Sequence, residues 1–254
     1  MKKEIDIFFT ALMFLTRIPC PKNIDHSPEI LKKSTRYFSL VGSIVGGISA
    51  VSYVALSYIL PSEIAVFMSI LTSIWVTGGF HEDGFADVCD GFGGGWTREK
   101  ILTIMKDSRL GTYGTVGLIG IITLKYLALL EIPPYYLLLI LVSGHSISRF
   151  TAIMLLYFVP YARDPNDSKM KDVAEKISLK NIVINAFFGL LPLVFFQNYR
   201  IFLVVIPLFL TLWKMSRFFK KWIGGQTGDC AGATQQVAEI IFYLSFLVLW
   251  KFIW

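Results

Sequence analysis

The sequence predicts an all-α protein, a polytopic integral membrane bundle of helices. Of the 254 residues, 54% are hydrophobic and 17% are charged, whereas a soluble domain has roughly 25% charged residues. The mean hydropathy is +0.60. This composition excludes a disordered chain, a small disulfide scaffold and an ordinary soluble enzyme. Every loop between the apolar stretches is too short to fold alone, so residues 1–254 are predicted to form one membrane-embedded domain.

Seven apolar stretches are long enough, or nearly so, to be transmembrane helices, which need about 20 residues. They run over roughly 37–60, 62–80, 112–130, 135–159, 181–197, 200–216 and 236–254. A further apolar run at 5–15 is too short to cross a bilayer. It predicts an interfacial or re-entrant helix, with a strained eighth span as the alternative. The spacing of Gly42 and Gly46, as Gly-x-x-x-Gly, predicts close packing between helices.

The basic residues predict the orientation of these spans. Nearly all of the 24 Lys and Arg residues lie in the N-terminal segment and in the long loops before 112, 181 and 236. By the positive-inside rule, these parts face the cytoplasm and the C-terminus lies outside, in a cytoplasmic (inner) membrane. The net charge of +6 is then a topology signal, and no nucleic-acid partner is predicted.

The densest group of polar residues is the segment Gly78-Gly-Phe-His-Glu-Asp-Gly-Phe-Ala-Asp-Val-Cys-Asp-Gly91. Asp83, Asp87 and Asp90 are spaced i, i+4 and i+7, so they share one face if the segment is helical. Glu82 lies beside that face. Carboxylates so close repel one another, and the segment contains no Lys or Arg. Oxygen ligands of this kind suit a hard cation, and we predict Mg²⁺; the alternative is a solvated acidic helix end.

Basic residues follow this acidic segment. The glycine-rich stretch 91–95 can bring backbone N–H groups close to phosphate oxygens. Lys106 and Arg109 come next and are predicted to bind phosphate. Asp107 is predicted either to join the metal site or to orient Arg109. The alternative is that these basic residues only set the topology.

The last loop, Gly224-Gly-Gln-Thr-Gly-Asp-Cys-Ala-Gly-Ala-Thr-Gln-Gln236, is unusually small and polar. Its glycines permit close approach of backbone to phosphate. Thr227 and Gly228 are therefore predicted to contact the substrate, and Asp229 to be an additional metal ligand.

Ionisable residues also lie within or beside the spans. His145 and Arg149 are spaced i, i+4, and such residues in a membrane are functional by default. Arg149 is predicted to bind substrate phosphate or to pair with an aspartate, with a structural ion pair between helices as the alternative. Lys125 is predicted to snorkel or to pair structurally. His81 is predicted to be a proton shuttle, with a capping or packing role as the alternative.

Aspartates, a predicted Mg²⁺ ion and glycine-rich loops at one face of a membrane indicate chemistry at a diphosphate. Two other classes stay open. A CDP-alcohol phosphatidyltransferase also carries an aspartate run at a membrane surface, but this chain has Asp83-Gly-Phe-Ala-Asp87 without the Ala-Arg pair and the later Asp-x-x-x-Asp of that class. A transporter is the second alternative, although here the polar residues gather on one side and not near the midplane.

The motifs also resemble those of the cobalamin synthase family, the adenosylcobinamide-GDP ribazoletransferases, over nearly the full length of the chain. The most specific match is the acidic segment, continuing to Ile104-Met-Lys-Asp-Ser-Arg-Leu-Gly-Thr-Tyr-Gly114. The other matching pieces are Phe14-Leu-Thr-Arg-Ile-Pro19, Arg36-x-Phe-x-Leu-Val-Gly42, Ser148-Arg149, Pro160-Tyr-Ala-Arg163 and 224–233.

This resemblance implies an integral membrane enzyme that joins adenosylcobinamide-GDP to α-ribazole, or to its 5′-phosphate, and releases GMP with Mg²⁺ as cofactor. Membrane lipid is its expected surrounding partner, and the oligomeric state stays open. The resemblance implies catalytic roles for His81, Asp83, Asp87, Asp90, Lys106 and Arg109. It implies substrate binding by Arg17, Asp107, Arg149, Thr227 and Gly228. The implied metal ligands are Glu82, Asp83, Asp87, Asp90 and Asp229.

Overall fold

The computed structural model describes residues 2–21, 23–24, 27–107, 109–162 and 177–253. Arg163 of the family motif lies outside them. The helices are α1 (Lys2–Leu15), α2 (Pro28–Ser34), α3 (Phe38–Ser57), α4 (Ser62–Thr77), α5 (Phe80–Gly94), α6 (Arg98–Ile104), α7 (Thr112–Leu130), α8 (Pro134–Phe158), α9 (Leu179–Leu190), α10 (Val205–Ile223) and α11 (Gly228–Phe252). Short 3₁₀ segments are Thr35–Tyr37, Leu191–Phe195 and Tyr199–Val204. The predicted all-α polytopic membrane bundle is confirmed.

Among the described residues, five helices are long and apolar enough to cross a membrane. They are Pro28–Ser57, Thr112–Leu130, Pro134–Phe158, Tyr199–Ile223 and Gly228–Phe252. The pair α4 and α5 makes a sixth if it is counted as one bent span. All seven predicted stretches are helical, but two of them differ from a simple span.

The stretch predicted as one span over 62–80 ends at Thr77, because two glycines turn the chain. Gly78 and Gly79 have φ values of +69° and +72°, in the left-handed region that favours glycine. The axis of α5 consequently makes an angle of 91° with that of α4. Because of this turn, the acidic segment runs nearly perpendicular to α4 and packs against α7 and α11.

The stretch predicted over 181–197 is also not one regular span. It forms α9 and then changes to a 3₁₀ segment that contains Pro192. Proline has no N–H group to continue the α-helical hydrogen bonds. The combined apolar helix, Leu179–Phe195, is shorter than the five candidate spans.

The N-terminal helix α1 packs against the bundle. It has 14 residues, fewer than the roughly 20 of a span, so it does not support the alternative of an eighth span. Ala11, Leu12 and Leu15 are buried in a cluster with residues of α3 and α8. The buried Arg36 donates to both carboxylate oxygens of Glu4, at 2.9 and 3.1 Å. This ion pair links α1 to the segment that leads into α3.

The core of the bundle lies where α3, α8 and α11 pack together. A Cβ atom added at Gly42 would collide with the carbonyl of His145, and one at Gly46 would lie 2.5 Å from the carbonyl oxygen of Leu141. The close packing predicted from the spacing of these two glycines is confirmed. It brings α3 against the part of α8 that carries His145 and Arg149.

Candidate functional site

The acidic segment forms α5, which lies between the first turns of α7 and α11. Gly84 makes the contact with α11, because a Cβ atom there would lie 3.0 Å from the Cα atom of Asp229. Gly117 of α7 lies against Cys89 on another side of α5. The small residue Gly84 lets the backbones of α5 and α11 approach closely, and Gly117 makes room for the Cys89 side chain. The loop aspartate Asp229 is thereby brought beside the acidic helix.

The carboxylates of α5 have different surroundings. Asp83 is exposed and Asp87, one turn further on, is half-buried. Glu82 is half-buried, and its Oε1 atom accepts a hydrogen bond from Nε2 of Gln236 at 2.9 Å. Its Oε2 atom is buried without a hydrogen-bond partner. The helical spacing predicted for these residues is confirmed, but their environments are not alike.

Asp90 contacts the backbone of α7 and its preceding loop. Its two oxygens accept hydrogen bonds from the N–H groups of Gly111 and Gly114, at 2.7 and 2.8 Å. These donors belong to the start of α7, where backbone N–H groups have no partner within the helix. Asp90 therefore caps α7, and its role as a metal ligand stays a prediction beside this structural one.

The five predicted metal ligands do not form one preassembled site. In the described parts of the chain, no group of three or more His, Cys, Asp or Glu side chains could hold a metal ion. The physical reason is the length of α5: Glu82 and Asp90 are about 12 Å apart along the helix axis, and each is held by a different neighbouring helix. A metal ion at the described part of this helix would therefore contact fewer than three of these carboxylates at once.

Replacing Asp90 with asparagine is expected to lower the free energy of unfolding by about 1–3 kcal/mol, because an amide can accept only one of the two backbone hydrogen bonds. The loop at 105–111 should also become accessible. Thermal unfolding in detergent and trypsin cleavage after Lys106 or Arg109 measure both effects. Glu99→Gln, at an exposed position of the neighbouring helix α6, is the control. Equal unfolding temperatures and cleavage rates for Asp90→Asn and the wild type would contradict the capping role.

The loop between α6 and α7 carries the predicted phosphate-binding residues. Arg109 is exposed and donates from Nη2 to Oδ2 of Asp107 at 2.6 Å. This hydrogen bond holds the pKa of the Asp107 carboxyl below its ordinary value. Of the two roles predicted for Asp107, the structure shows the pairing with Arg109. Lys106 is also exposed. The loop lies at the Asp90 end of α5, away from Glu82.

The glycine loop before α11 is held by backbone contacts. Gly224 ends α10 with a φ of +75°. The N–H of Gln226 donates to the carbonyl of Pro160, and the N–H of Ala162 donates to the carbonyl of Gln226, both at 2.8 Å. Arg98 adds a hydrogen bond to the carbonyl of Ala162 at 2.8 Å. The start of α11 is therefore rigidly placed.

Thr227 and Asp229 form the N-terminal cap of α11. The buried Thr227 hydroxyl oxygen accepts from the N–H of Cys230 at 3.3 Å and lies 3.2 Å from Oδ2 of Asp229, to which it donates. A carboxylate in the first turn is also favoured by the helix dipole. The structure thus gives Thr227 a capping role, and its contact with substrate stays a prediction.

Arg149 and His81 are brought together although they are far apart in the sequence. Both are buried, and both line a small cavity of about 30 Å³ whose other walls include Phe14, Phe80 and Gly228. Arg149 donates from Nη1 to the carbonyl of its neighbour one turn back at 2.9 Å, while its Nε atom has no hydrogen-bond partner. A buried donor without an acceptor suits an anionic ligand.

Arg17, which the resemblance implied to bind substrate, is exposed near the turn between α4 and α5. Its backbone N–H donates to the carbonyl of Val76 at 2.8 Å. A Cβ atom at Gly78 would collide with its guanidinium group. The structure therefore places Arg17 close to the start of the acidic helix.

The structural pair predicted for Lys125 is confirmed, but the buried polar network to which it belongs was not recognised from the sequence. Its centre is Glu239 of α11, which is 2% exposed. The side-chain nitrogens of Lys125 and His145 lie 3.0 and 3.3 Å from its carboxylate oxygens. Gln235 and Tyr243 donate hydrogen bonds to the same carboxylate, at 2.7 and 3.1 Å. A buried carboxylate needs such compensation. The signal was present, since Glu239 is an acidic residue within an apolar span.

Comparisons with known proteins identify the family of this chain. The family model described as Cobalamin-5-phosphate synthase matches residues 7–247. A protein of Leptospira interrogans named adenosylcobinamide-GDP ribazoletransferase is 43% identical over 261 residues, covering 99% of this chain and 98% of the relative. The protein of the same name from Shewanella pealeana is 41% identical, covering 98% and 97%. No solved structure matches the chain. The chain belongs to the cobalamin-5-phosphate synthase family, whose relatives carry the name adenosylcobinamide-GDP ribazoletransferase.

Proposed function

We infer that the protein is an adenosylcobinamide-GDP ribazoletransferase of cobalamin synthesis. It transfers the adenosylcobinamide phosphate part of adenosylcobinamide-GDP to α-ribazole, or to its 5′-phosphate, and releases GMP. The observation that carries this conclusion is the family match over residues 7–247. That range includes the acidic helix α5, the buried Arg149 and the loop that leads into α11.

The transfer requires one phosphorus–oxygen bond to form and another to break. A ribose hydroxyl of the acceptor attacks the phosphorus nearer the cobinamide and loses its proton, and GMP leaves with the electron pair of the broken bond. Because the 5′-phosphate form has no free 5′-hydroxyl, the nucleophile common to both acceptors is another ribose hydroxyl. The exposed carboxylate of Asp83 is the group that we assign to accept the proton.

We propose that Mg²⁺ binds at the meeting point of α5 and α11 through no more than two of the carboxylates of Asp83, Asp87 and Asp229 at a time, together with water and substrate oxygens. The donor set fits this ion, because all three are oxygen ligands and the adjacent Glu82 has a buried oxygen without a partner. Mg²⁺ is commonly held by one or two carboxylates, with waters and substrate phosphates completing its coordination. When bound, the ion neutralises negative charge on the diphosphate.

Cationic residues at the two ends of α5 are proposed to bind the anionic substrate. The free Nε atom of Arg149 supports this role at the start of the helix. Arg17 lies near the same end, and Lys106 and Arg109 lie at the other. Guanidinium groups bind phosphate through paired hydrogen bonds. The cationic residues at the start of α5 and those at its end would then contact different parts of a long substrate.

The location of the site is also a proposal. The positive-inside rule places α5 and its neighbouring loops at the cytoplasmic face of the inner membrane, and the C-terminus outside. Lipid contacts the exposed apolar side chains of the spans. Labelling of a single cysteine introduced in the 105–111 loop of a cysteine-free variant tests this orientation in whole cells. Access from the outside would contradict it.

Purified protein in lipid nanodiscs, supplied with adenosylcobinamide-GDP, α-ribazole and Mg²⁺, is expected to release GMP and form the coupled corrinoid in equal amounts. Chromatography of both products measures this. GMP release without α-ribazole would indicate hydrolysis instead of transfer, and no release would contradict the function. Release of CMP from CDP-diacylglycerol, or solute uptake by proteoliposomes, would support the two alternative classes.

A further inference from the structure

We propose that Gln236 and the buried pair Lys125–Glu239 are positioning residues for the carboxylate of Glu82. The proposal rests on the function proposed above, and it concerns residues within the membrane spans that do not themselves face the substrate. Their proposed task is to hold Glu82 in one place and to leave one of its oxygens available at the site.

Gln236 connects the core of the bundle to α5. Its Oε1 atom accepts from Nζ of Lys125 at 2.7 Å, and its Nε2 atom donates to Oε1 of Glu82 at 2.9 Å. An ammonium group can only donate hydrogen bonds. Lys125 therefore binds the amide oxygen of Gln236. The amide NH₂ group is then left to face Glu82 and to donate a hydrogen bond to it.

Glu239 keeps Lys125 in this position. Nζ of Lys125 lies 3.0 Å from Oε1 of Glu239, and both residues are almost fully buried. An uncompensated buried charge is strongly unfavourable. If Glu239 lost its charge, the ammonium group would be drawn towards Glu82, the carboxylate on the other side of Gln236.

The carboxylate of Glu82 is the group that this arrangement positions. Its Oε1 atom is satisfied by Gln236, while its Oε2 atom is buried without a partner. A buried acceptor without a partner is rare in folded proteins and needs an explanation. A cation bound beside Asp83 supplies one, because it would give this oxygen a direct positive partner. The buried guanidinium of Arg149 interacts electrostatically with Glu82 but makes no hydrogen bond to this oxygen.

Three variants test the proposal. Gln236→Met removes both of these hydrogen bonds, and the one that Nε2 of Gln236 donates to Oε1 of Gln235 at 2.8 Å, with little change in volume. Glu239→Gln removes the charge that retains Lys125. Glu239→Gln combined with Lys125→Met leaves no ammonium group to occupy Glu82. Thr234→Val is the control, since this buried hydroxyl on the same helix donates to the carbonyl of Cys230, one turn back, at 2.7 Å.

The primary measurement is the binding of Mn²⁺, as a probe for the Mg²⁺ site, to substrate-free protein in nanodiscs by electron paramagnetic resonance. Gln236→Met and Glu239→Gln are expected to bind Mn²⁺ about 10- to 100-fold more weakly, the usual effect of removing a residue that orients a metal ligand. In GMP release, kcat should fall while KM for adenosylcobinamide-GDP changes little. The double variant should regain Mn²⁺ binding only in part, because no ammonium group occupies Glu82 but the contact that orients the Gln236 amide is also lost. Thr234→Val should match the wild type.

Wild-type Mn²⁺ affinity in folded Gln236→Met would overturn the proposal, as would the absence of Mn²⁺ binding by the wild type. A double variant that folds but does not regain Mn²⁺ binding would show that the pair serves stability only, which also overturns it. If Glu239→Gln does not fold, Gln236→Met and the double variant still decide the question. Failure of the proposed function is distinguishable, because it means no GMP release by the wild type whatever its Mn²⁺ affinity.

Discussion

Replacing Asp83 or Asp87 with asparagine is expected to lower turnover by about a hundredfold or more. The amide keeps the shape of the carboxylate but loses the negative charge that we propose to hold Mg²⁺ and, at Asp83, to accept the proton of the attacking hydroxyl. Asp83 is exposed and Asp87 is half-buried on the following turn. Neither change removes core packing, so both variants are expected to insert in the membrane and fold.

Release of GMP at saturating substrate and increasing Mg²⁺ concentration measures this effect. Glu131→Gln is the matched control, because Glu131 follows the last residue of α7, at the end opposite to the site. Its activity is expected to equal that of the wild type. If Asp83→Asn and Asp87→Asn both retain activity, the proposed site is wrong.

Replacing Gly46 with valine is expected to destabilise the bundle by about 3 kcal/mol or more, at the upper end of what overpacking costs. A Cβ atom at this position would lie 2.5 Å from the carbonyl oxygen of Leu141 and 2.7 Å from the Cα atom of Val142. These are backbone atoms, which cannot rotate away as a side chain can. The helix α8 would have to move away from α3, and Arg149 would move with it.

The neighbouring Gly47 offers a close control, since nothing lies within 4 Å of a Cβ atom added there. Gly47→Val is expected to fold and to release GMP normally. Yield of monodisperse protein, unfolding temperature in detergent and GMP release distinguish the two variants. Similar unfolding temperatures for Gly46→Val and Gly47→Val would show that α3 and α8 do not pack as described.

The spans were predictable because apolar length is a local property of the chain. Composition and the lengths of the apolar stretches led to the membrane bundle, and the Gly42–Gly46 spacing led to a helix contact that the structure confirms. The bend after α4 was not predicted. Gly78 and Gly79 both lie in a hydrophobic context that also fits a continuing helix, and only their left-handed φ values separate α4 from α5.

The functional site was predictable only in part. The spacing of Asp83 and Asp87 fixes their common face, since side chains four residues apart are neighbours on any α-helix. The capping role of Asp90 was not predictable, because it depends on where the start of α7 lies in space. The sequence also could not show that the five predicted metal ligands are held apart. Glu82 bonds to α11 and Asp90 bonds to α7, so the five carboxylates do not form one site.

By itself, the sequence determined that this protein is a helical membrane bundle and that its acidic segment is a candidate cation site, because hydrophobic length and helical spacing need only neighbouring residues. Its motifs also determined the family. The tertiary structure alone decided that Asp229 lies beside α5 and that Lys125 pairs with Glu239. Those contacts join residues on different helices, and buried charges can find their partners only when the helices have packed.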